Sequence, residues 1–379
     1  MKRDCTFAVP LLGAGGPTDP GRGIRGVLSR WAGSSGAEGF FFQPSKRMLT
    51  FAKRLIENSL WLVFFDISDW EEHEYLNTGG TRDKVVVENA EDGKLYFFKT
   101  SLKKKDKDYV YEFWSEIIAS EVGQMLGFDI LRYNVAANKG HLGCLSKSMI
   151  DLSREQLEEG YKWIKRYMST YDVEDRDAYT FQIIEAALKQ LFNGNGFIEK
   201  LISTLVFDSI IGNEDRHQEN WGIIVATRPT EETRGFRFSK KTPVPKTTYK
   251  FAPIYDSGSS LGRELREEKV SQMLTDKVQL EAYINRGQSE IHWNGEHGKQ
   301  KHFELLDKIA QAGYGSVIAS ETDRIAKLYS KDSISAVVHH IDDCLPEAYA
   351  TQKIPQKRKE LLIKLLTLRI ERLLSIHYE

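Results

Sequence analysis

The residues best suited to chemistry lie in a short polar segment between an apolar helical stretch and a strand-like run. The segment spans residues 211–222 and reads Ile-Gly-Asn-Glu-Asp-Arg-His-Gln-Glu-Asn-Trp-Gly. An aspartate with an asparagine five residues later suits phosphoryl transfer, because the carboxylate takes the proton of an incoming hydroxyl and the amide oxygen holds a metal that bridges phosphate oxygens. The spacing therefore indicates Asp215 as a base and Asn220 as a metal ligand.

A second carboxylate for the metal is expected at the end of a neighbouring strand. Residues 251–258 read Phe-Ala-Pro-Ile-Tyr-Asp-Ser-Gly, which places Asp256 directly after the predicted strand Tyr249–Tyr255. Asn220 and Asp256 together predict a Mg²⁺ site. His217, in the same polar segment as Asn220, is assigned to nucleotide binding.

The phosphates of a nucleotide would also need a covering loop and a cation. Residues 78–84 read Thr-Gly-Gly-Thr-Arg-Asp-Lys between two predicted strands, and Lys99 ends the next strand. Glu116, on the helix that follows, can pair with Lys99 and hold it against the phosphates. The strand Leu142–Ile150 is expected to contact the adenine near its end. The predicted nucleotide-binding residues are Gly79, Gly80, Thr81, Arg82, Lys99, Lys147, Met149 and His217.

None of these parts is specific when taken singly. A Gly-Gly pair before a strand is more often a turn, and a lysine at a strand end is ordinary. Their order along the chain is what indicates a site: glycine loop, lysine, helix glutamate, Asp-x4-Asn, then a strand-end aspartate.

The elements that must position these residues fall into three stretches. Residues 1–50 form a Gly- and Pro-rich leader without a sustained hydrophobic period, predicted to be poorly ordered. Residues 51–150 alternate strand-like runs around one helix with an apolar face from Phe113 to Leu126, which predicts a small mixed sheet. The predicted strands here are Leu60–Phe65, Lys84–Glu88, Lys94–Thr100, Ile130–Ala136 and Leu142–Ile150.

Residues 151–379 are mainly helical by their hydrophobic periodicity, with two strand-like segments around a polar loop. The predicted helices include Arg154–Arg166, Ala178–Leu191, Phe197–Ile211 and Gln356–His377, and the predicted strands are Trp221–Ala226 and Tyr249–Tyr255. The expected fold class is α+β, with a sheet-based N-terminal lobe and a helical C-terminal lobe.

At this point a family resemblance is evident. Asp-Arg-His-x-x-Asn at 215–220, followed by Phe-Ala-Pro-Ile-Tyr-Asp at 251–256, resembles the HipA-type and related cell-translocating bacterial kinases. The helix bearing Glu116, which ends in Leu-Gly at 126–127, is similar to that family's glutamate-bearing helix. The likeness covers roughly residues 79–262.

The resemblance implies a protein-kinase-like two-lobed fold, with ATP and Mg²⁺ as co-substrate and cofactor. Asp215 would be the catalytic base, and Asn220 and Asp256 the magnesium ligands. Lys99 would hold the phosphates and Glu116 would be its partner.

Composition argues against several other classes of function. The 379 residues carry 53 basic and 54 acidic side chains, a net charge of −1, which argues against bulk binding of nucleic acid. Three widely spaced cysteines support neither a disulfide framework nor a thiolate zinc site. No apolar run reaches the length of about 18 residues that a membrane span needs. These features predict a cytoplasmic protein without a membrane span.

The predicted function is ATP- and Mg²⁺-dependent transfer to a Ser or Thr hydroxyl of a protein substrate, including autophosphorylation. Two alternatives stay open: a kinase of a lipid headgroup or small metabolite, and a nucleotide-binding pseudokinase.

A Gly-x-Ser-x-Gly match at 258–262 resembles a hydrolase nucleophile elbow. The sequence lacks the parallel βαβ series that such an elbow requires, so we interpret Ser257-Gly258 as a turn after the metal-binding aspartate.

Overall fold

The fold is described from a computed structural model, which covers residues 62–73, 84–104, 107–228 and 246–377. The predicted leader 1–50 lies outside these described residues. So does the predicted glycine loop with Gly79, Gly80, Thr81 and Arg82.

The first half of the described chain is built around a six-stranded mixed sheet. Its strand order is β1-β7-β8-β4-β3-β2, in which β1 pairs with β7 in parallel and every other pair is antiparallel. The strands of this sheet are β1 (Phe64–Asp66), β2 (Glu71–Glu72), β3 (Lys84–Asn89), β4 (Lys94–Lys99), β7 (Tyr133–Asn138) and β8 (His141–Lys147). A short ribbon, β5 (Lys103–Lys104) with β6 (Lys107–Asp108), follows β4.

One helix, α1 (Glu112–Met125), packs on this sheet. Its residues from Glu112 to Gly123 are all buried, because β7 and β8 cover one side and a later helix, Lys331–His340, covers another. The chain at Gly143 in β8 passes so close to β4 that an added Cβ would lie 2.1 Å from the carbonyl oxygen of Lys99. This glycine therefore permits the close pairing that fixes the backbone of Lys99.

The second half is mainly helical, with a small antiparallel sheet in the order β11-β10-β9. The strands of this sheet are β9 (Glu155–Glu159), β10 (Gly222–Arg228) and β11 (Lys246–Phe251). The helices are α2 (Gly160–Tyr167), α3 (Phe181–Leu191), α4 (Phe197–Ile211), α5 (Glu267–Thr275), α6 (Lys277–Arg286), α7 (His302–Ile309), α8 (Gly315–Leu328), α9 (Lys331–His340) and α10 (Gln356–Ser375).

The predicted α+β architecture, a sheet-based lobe with one helix followed by a helical lobe, is confirmed. The helix Phe197–Ile211 is confirmed to the residue. Other predicted elements differ at their ends by a few residues. For example, the helix predicted from Ala178 begins at Phe181, because the Thr180 side chain accepts a hydrogen bond from the Ile183 backbone at 3.3 Å and caps it.

Two predicted elements need correction. The helix Arg154–Arg166 was wrong over its first half, because Glu155–Glu159 pairs as a strand with β10 before α2 begins at Gly160. The strand predicted as Tyr249–Tyr255 runs earlier, from Lys246 to Phe251. Pro253 has no backbone N–H to donate, which fits the end of the ladder before it.

Glu121 on α1 gives the fold a pH dependence. Burial raises the pKa of Glu121 to about 7, against the opposing charge of Arg132. The unfolded chain would release this proton near pH 4.3. The folded state therefore holds the proton more tightly, and we expect the free energy of unfolding to fall as the pH rises from about 4.3 to about 7.

The substitution Glu121→Gln removes this ionisation while keeping the shape of the side chain. Urea unfolding across that pH range should show the wild type losing stability relative to Glu121→Gln, with a difference that becomes constant only well above pH 7. Parallel stability curves for the two proteins would contradict the assignment.

Candidate active site

The polar segment after α4 is organised around the buried guanidinium of Arg216, which is 1% exposed. Its Nε and Nη2 donate to the two carboxylate oxygens of Asp208 on α4, at 2.9 and 2.8 Å. Its Nη1 donates to the backbone carbonyls of Asn220 at 2.7 Å and Tyr255 at 2.6 Å. One side chain thus joins α4, the polar segment and the stretch after β11 that leads to Asp256.

Asp208 is 1% exposed and balances this buried charge. Burial alone would lower the pKa of Arg216, but the charge and hydrogen bonds of Asp208 outweigh it and raise that pKa. Asp208 also accepts from the Asn213 amide at 3.0 Å. Gly212 ends α4 with a left-handed φ of 66°, a conformation that glycine adopts without strain, so the chain can turn directly into the polar segment.

Neighbouring side chains fix the rest of the segment. Tyr179 donates from its hydroxyl to the carbonyl of Arg216 at 3.2 Å and accepts from the Trp221 indole at 2.8 Å. Gln218 accepts from the Tyr171 hydroxyl at 2.5 Å. The segment is therefore held by hydrogen bonds at several points between Asn213 and Trp221 rather than by packing alone.

These contacts orient the predicted base and metal ligand. The amide nitrogen of Asn220 donates to the backbone carbonyl of Asp215 at 2.7 Å. Because the nitrogen is used within the segment, the amide oxygen of Asn220 is the atom left to face a cation. The Asp215 carboxylate accepts a hydrogen bond from the Ser259 hydroxyl at 3.0 Å.

Asp256 lies five residues beyond the end of β11 rather than directly after a strand, and it has a positive φ of 54°. Its carboxylate pairs with the Lys99 ammonium at 3.1 Å, and both side chains are nearly buried. Its backbone N–H points to the Tyr133 hydroxyl at 3.5 Å. Burial, together with the negative charges of Glu116 and Asp256, raises the pKa of Tyr133 well above its usual value, so this hydroxyl stays protonated.

The Glu116 side chain contacts Ser257, the residue that follows Asp256. Its Oε1 accepts from the backbone N–H of Ser257 at 2.9 Å. A Cβ at Gly258 would lie 2.9 Å from the other Glu116 oxygen, so the carboxylate lies directly against this turn. Lys99 and Glu116 therefore converge on the segment that carries Asp256. Their direct pairing stays a prediction.

A cavity of about 830 Å³ is lined by most of the predicted side chains that fall within the described residues. Those that line it are Lys99, Met149, Asp215, His217, Asn220 and Asp256. Neither Glu116 nor Lys147 is among them. The Glu116 carboxylate accepts from the Ser257 N–H, and the Lys147 ammonium bonds to Asp92 at 2.8 Å at the β3–β4 turn. Residues that the sequence did not single out also line the cavity, among them Tyr133, Arg154, Glu155, Glu159, Glu219 and Tyr255.

Asp208 and Arg216 were not among the predicted site residues, although the sequence pattern around them points to a buried ion pair. Asp208 is an isolated carboxylate in an otherwise apolar stretch of α4, which points to a buried positive partner. Arg216 stands next to the predicted base and is that partner. The cavity residues of β9 gave no such signal, because their Glu-rich sequence is typical of a helix.

The serine of the elbow-like motif has a different role. Ser260 is 2% exposed and donates to the carbonyl of Ser257 at 2.6 Å. Its hydroxyl is therefore engaged within the turn rather than presented to a substrate.

The donor chemistry of the cavity fits magnesium. Among the described residues, no group of three His, Cys, Asp or Glu side chains could hold a metal by itself. The amide oxygen of Asn220 and the Asp256 carboxylate offer two hard oxygen ligands. Mg²⁺ commonly takes one or two protein oxygens and completes its shell with substrate phosphates and water. A divalent cation would therefore be held here together with a phosphorylated ligand.

Comparison with solved structures identifies the architecture. The crystal structure of the Helicobacter pylori proinflammatory kinase CtkA superposes with a TM-score of 0.62 at 18% identity, covering 82% of this chain and 97% of that one. The chain has a protein-kinase-like fold. The fold implied by the sequence resemblance is thereby confirmed.

A second structural match is weaker. HipA of Shewanella oneidensis MR-1, in its complex with HipB and operator DNA, gives a TM-score of 0.34 at 12% identity, covering 89% of this chain and 74% of that one. No protein-family model matches the sequence, and no curated protein matches it. Within the described residues, every helix is too short or too polar to span a bilayer.

The pair of Asp208 and Arg216 gives a direct test of how the site is held together. Asp208→Ala would leave the Arg216 guanidinium buried without its charge partner, which typically costs about 3–5 kcal/mol. We expect a loss of that size in the free energy of unfolding measured by urea titration. Glu281→Ala, which removes an exposed pair with Lys277, is the control and should change stability by less than about 1 kcal/mol. Equal small effects of both substitutions would show that Arg216 does not depend on Asp208.

Proposed function

We propose that this protein is an ATP- and Mg²⁺-dependent kinase that transfers a phosphoryl group to a Ser or Thr hydroxyl of a protein. One observation carries the proposal: three separate parts of the chain bring Lys99, Asp215 with Asn220, and Asp256 to the lining of the same cavity. The kinase-like fold supports the proposal but does not establish the activity, because one fold hosts many functions.

Each of these side chains has a role that its contacts support. Asp215, whose backbone N–H donates to the Asn213 side chain at 3.3 Å, would accept the proton of the attacking hydroxyl. The Asn220 amide oxygen and the Asp256 carboxylate would hold the magnesium, which when bound offsets the negative charge of the phosphates. Lys99 is adjacent to Asp256 and would contact the phosphates as a fixed positive charge.

The apolar part of the cavity lining suits a purine ring. Apolar surface is expected in an adenine site, which makes few polar contacts. Here that surface includes Phe97, Leu131, Met149, Ile150 and Leu152. We propose that Met149, as the sequence predicted, contacts the nucleotide. Covering of the phosphates by the glycine loop at 79–82 stays a prediction.

The catalytic proposal is tested with Asp215→Asn, incubated with Mg²⁺ and γ-labelled ATP beside the wild type. Transfer to a mixed Ser/Thr protein acceptor should fall by about 10²-fold or more, because the amide cannot take the hydroxyl proton. ATP affinity by calorimetry should change little, because Asp215 is assigned to the acceptor rather than to the nucleotide. Asp172→Asn, at a site outside the cavity lining, is the matched control and should keep full transfer.

Three results would count against parts of this proposal. Undiminished transfer by Asp215→Asn would remove Asp215 as the base. ATP binding without transfer to any acceptor would favour a pseudokinase. Transfer to lipid headgroups or small metabolites, but not to proteins, would keep the chemistry and change the acceptor.

A further inference from the structure

Ser259 lies against the proposed base. Its hydroxyl donates a hydrogen bond to Oδ2 of Asp215 at 3.0 Å. A carboxylate that acts as a general base contacts its hydroxyl at about 2.6–3.2 Å. Ser259 therefore stands at the distance from Asp215 that an acceptor hydroxyl would have.

The backbone around Ser259 is held in this position. The carbonyl of Ser259 accepts from the Glu214 N–H at 3.4 Å, and Leu261 donates to the Ile211 carbonyl at 3.0 Å. Asp256 and Leu261 flank the turn with positive φ angles of 54° and 56°. Non-glycine residues keep such angles only where the surrounding structure enforces them, and they cluster at functional sites.

Of the three serines in this turn, Ser259 is the one whose hydroxyl contacts the base. Ser257 and Ser260 are buried. The Ser257 hydroxyl accepts from Arg216 at 3.4 Å, and the Ser260 hydroxyl donates to the Ser257 carbonyl. Ser259 is only partly buried, so its hydroxyl is the accessible one.

We propose that Ser259 is the chain's own phosphoryl acceptor and is phosphorylated within the same molecule, a proposal that rests on the function proposed above. The Oγ of Ser259 forms a bond to the γ-phosphorus of ATP, and the bond from that phosphorus to the bridging oxygen of ADP breaks. The serine proton passes to Asp215, and ADP leaves with the electron pair. Protein and ATP supply every atom of this step.

The product would limit further turnover. A phosphoserine adds a charge of about −1.5 to −2. At Ser259 this charge would stand beside the Asp215 carboxylate and occupy the place of an external hydroxyl. Modification of Ser259 therefore switches off transfer to other acceptors.

The test maps phosphate on the full chain after treatment with a phosphatase and incubation with Mg²⁺ and ATP. Phosphopeptide mapping should place phosphate on Ser259 in the wild type and lose it in Ser259→Ala and Asp215→Asn. Ser259→Thr keeps a hydroxyl and should regain the modification as phosphothreonine at that position. Ser375→Ala removes an exposed hydroxyl at the end of α10, outside the cavity lining, and should leave phosphate on Ser259 unchanged.

A mixing experiment tests whether the transfer is intramolecular. A tagged Asp215→Asn chain, which retains Ser259, is incubated with active Ser259→Ala chain and ATP. The Ser259 of the tagged chain should stay unmodified, whereas phosphate on it would show transfer between molecules and overturn the intramolecular step.

Calorimetry of ATP binding and transfer to an added protein acceptor separate the two proposals. If the wild type binds ATP and labels the acceptor or another of its own residues but not Ser259, the Ser259 proposal is overturned and the kinase proposal stands. If the wild type binds no ATP, both proposals are overturned.

A second readout tests the inhibitory effect of the modification. Transfer to the acceptor should slow as Ser259 phosphate accumulates in the wild type, and the slowing should disappear in Ser259→Ala. Slowing of the same extent in both would contradict the switch.

Discussion

The buried ion pair of Arg216 with Asp208 is the interaction on which the rest of the site depends. Removing a guanidinium and a carboxylate from water is costly, and such a pair is stable only when all its hydrogen bonds are made. Here Arg216 donates two hydrogen bonds to Asp208 and uses its remaining donors on the carbonyls of Asn220 and Tyr255 and on the Ser257 hydroxyl. The contacts that neutralise a buried charge are therefore the same ones that bring the two proposed metal ligands together.

A second constraint acts on the turn that follows Asp256. The positive φ of this residue is maintained because its neighbours are fixed from two sides: Arg216 binds the carbonyl of Tyr255, and Glu116 accepts from the N–H of Ser257. Helix α1 thus contributes to the site through the backbone of the turn. A movement of α1 would shift the turn that holds Asp256. The contact of Glu116 with Ser257 therefore links the sheet-based lobe to the proposed metal site.

Much of this arrangement could be predicted from the sequence, because local patterns determine it. The helix Phe197–Ile211 follows from an apolar run closed by Gly212, and the order of Lys99, Asp215, Asn220 and Asp256 indicated that they share a site. What depends on tertiary pairing was missed. Strand β9 has helix-forming residues and becomes extended only because β10 pairs with it, and the contact of Ser259 with Asp215 arises from the shape of a turn that no spacing rule describes.

In the proposed function, Asn220 and Asp256 would hold a metal–nucleotide complex with Asp215 facing the transferred phosphate. The most direct measurement is a crystal structure of the full chain with Mg²⁺ and a non-hydrolysable ATP analogue. We expect magnesium bound to the Asn220 amide oxygen and the Asp256 carboxylate, with the γ-phosphate between this metal and Asp215. A nucleotide bound outside this cavity, or a metal that contacts neither residue, would contradict it.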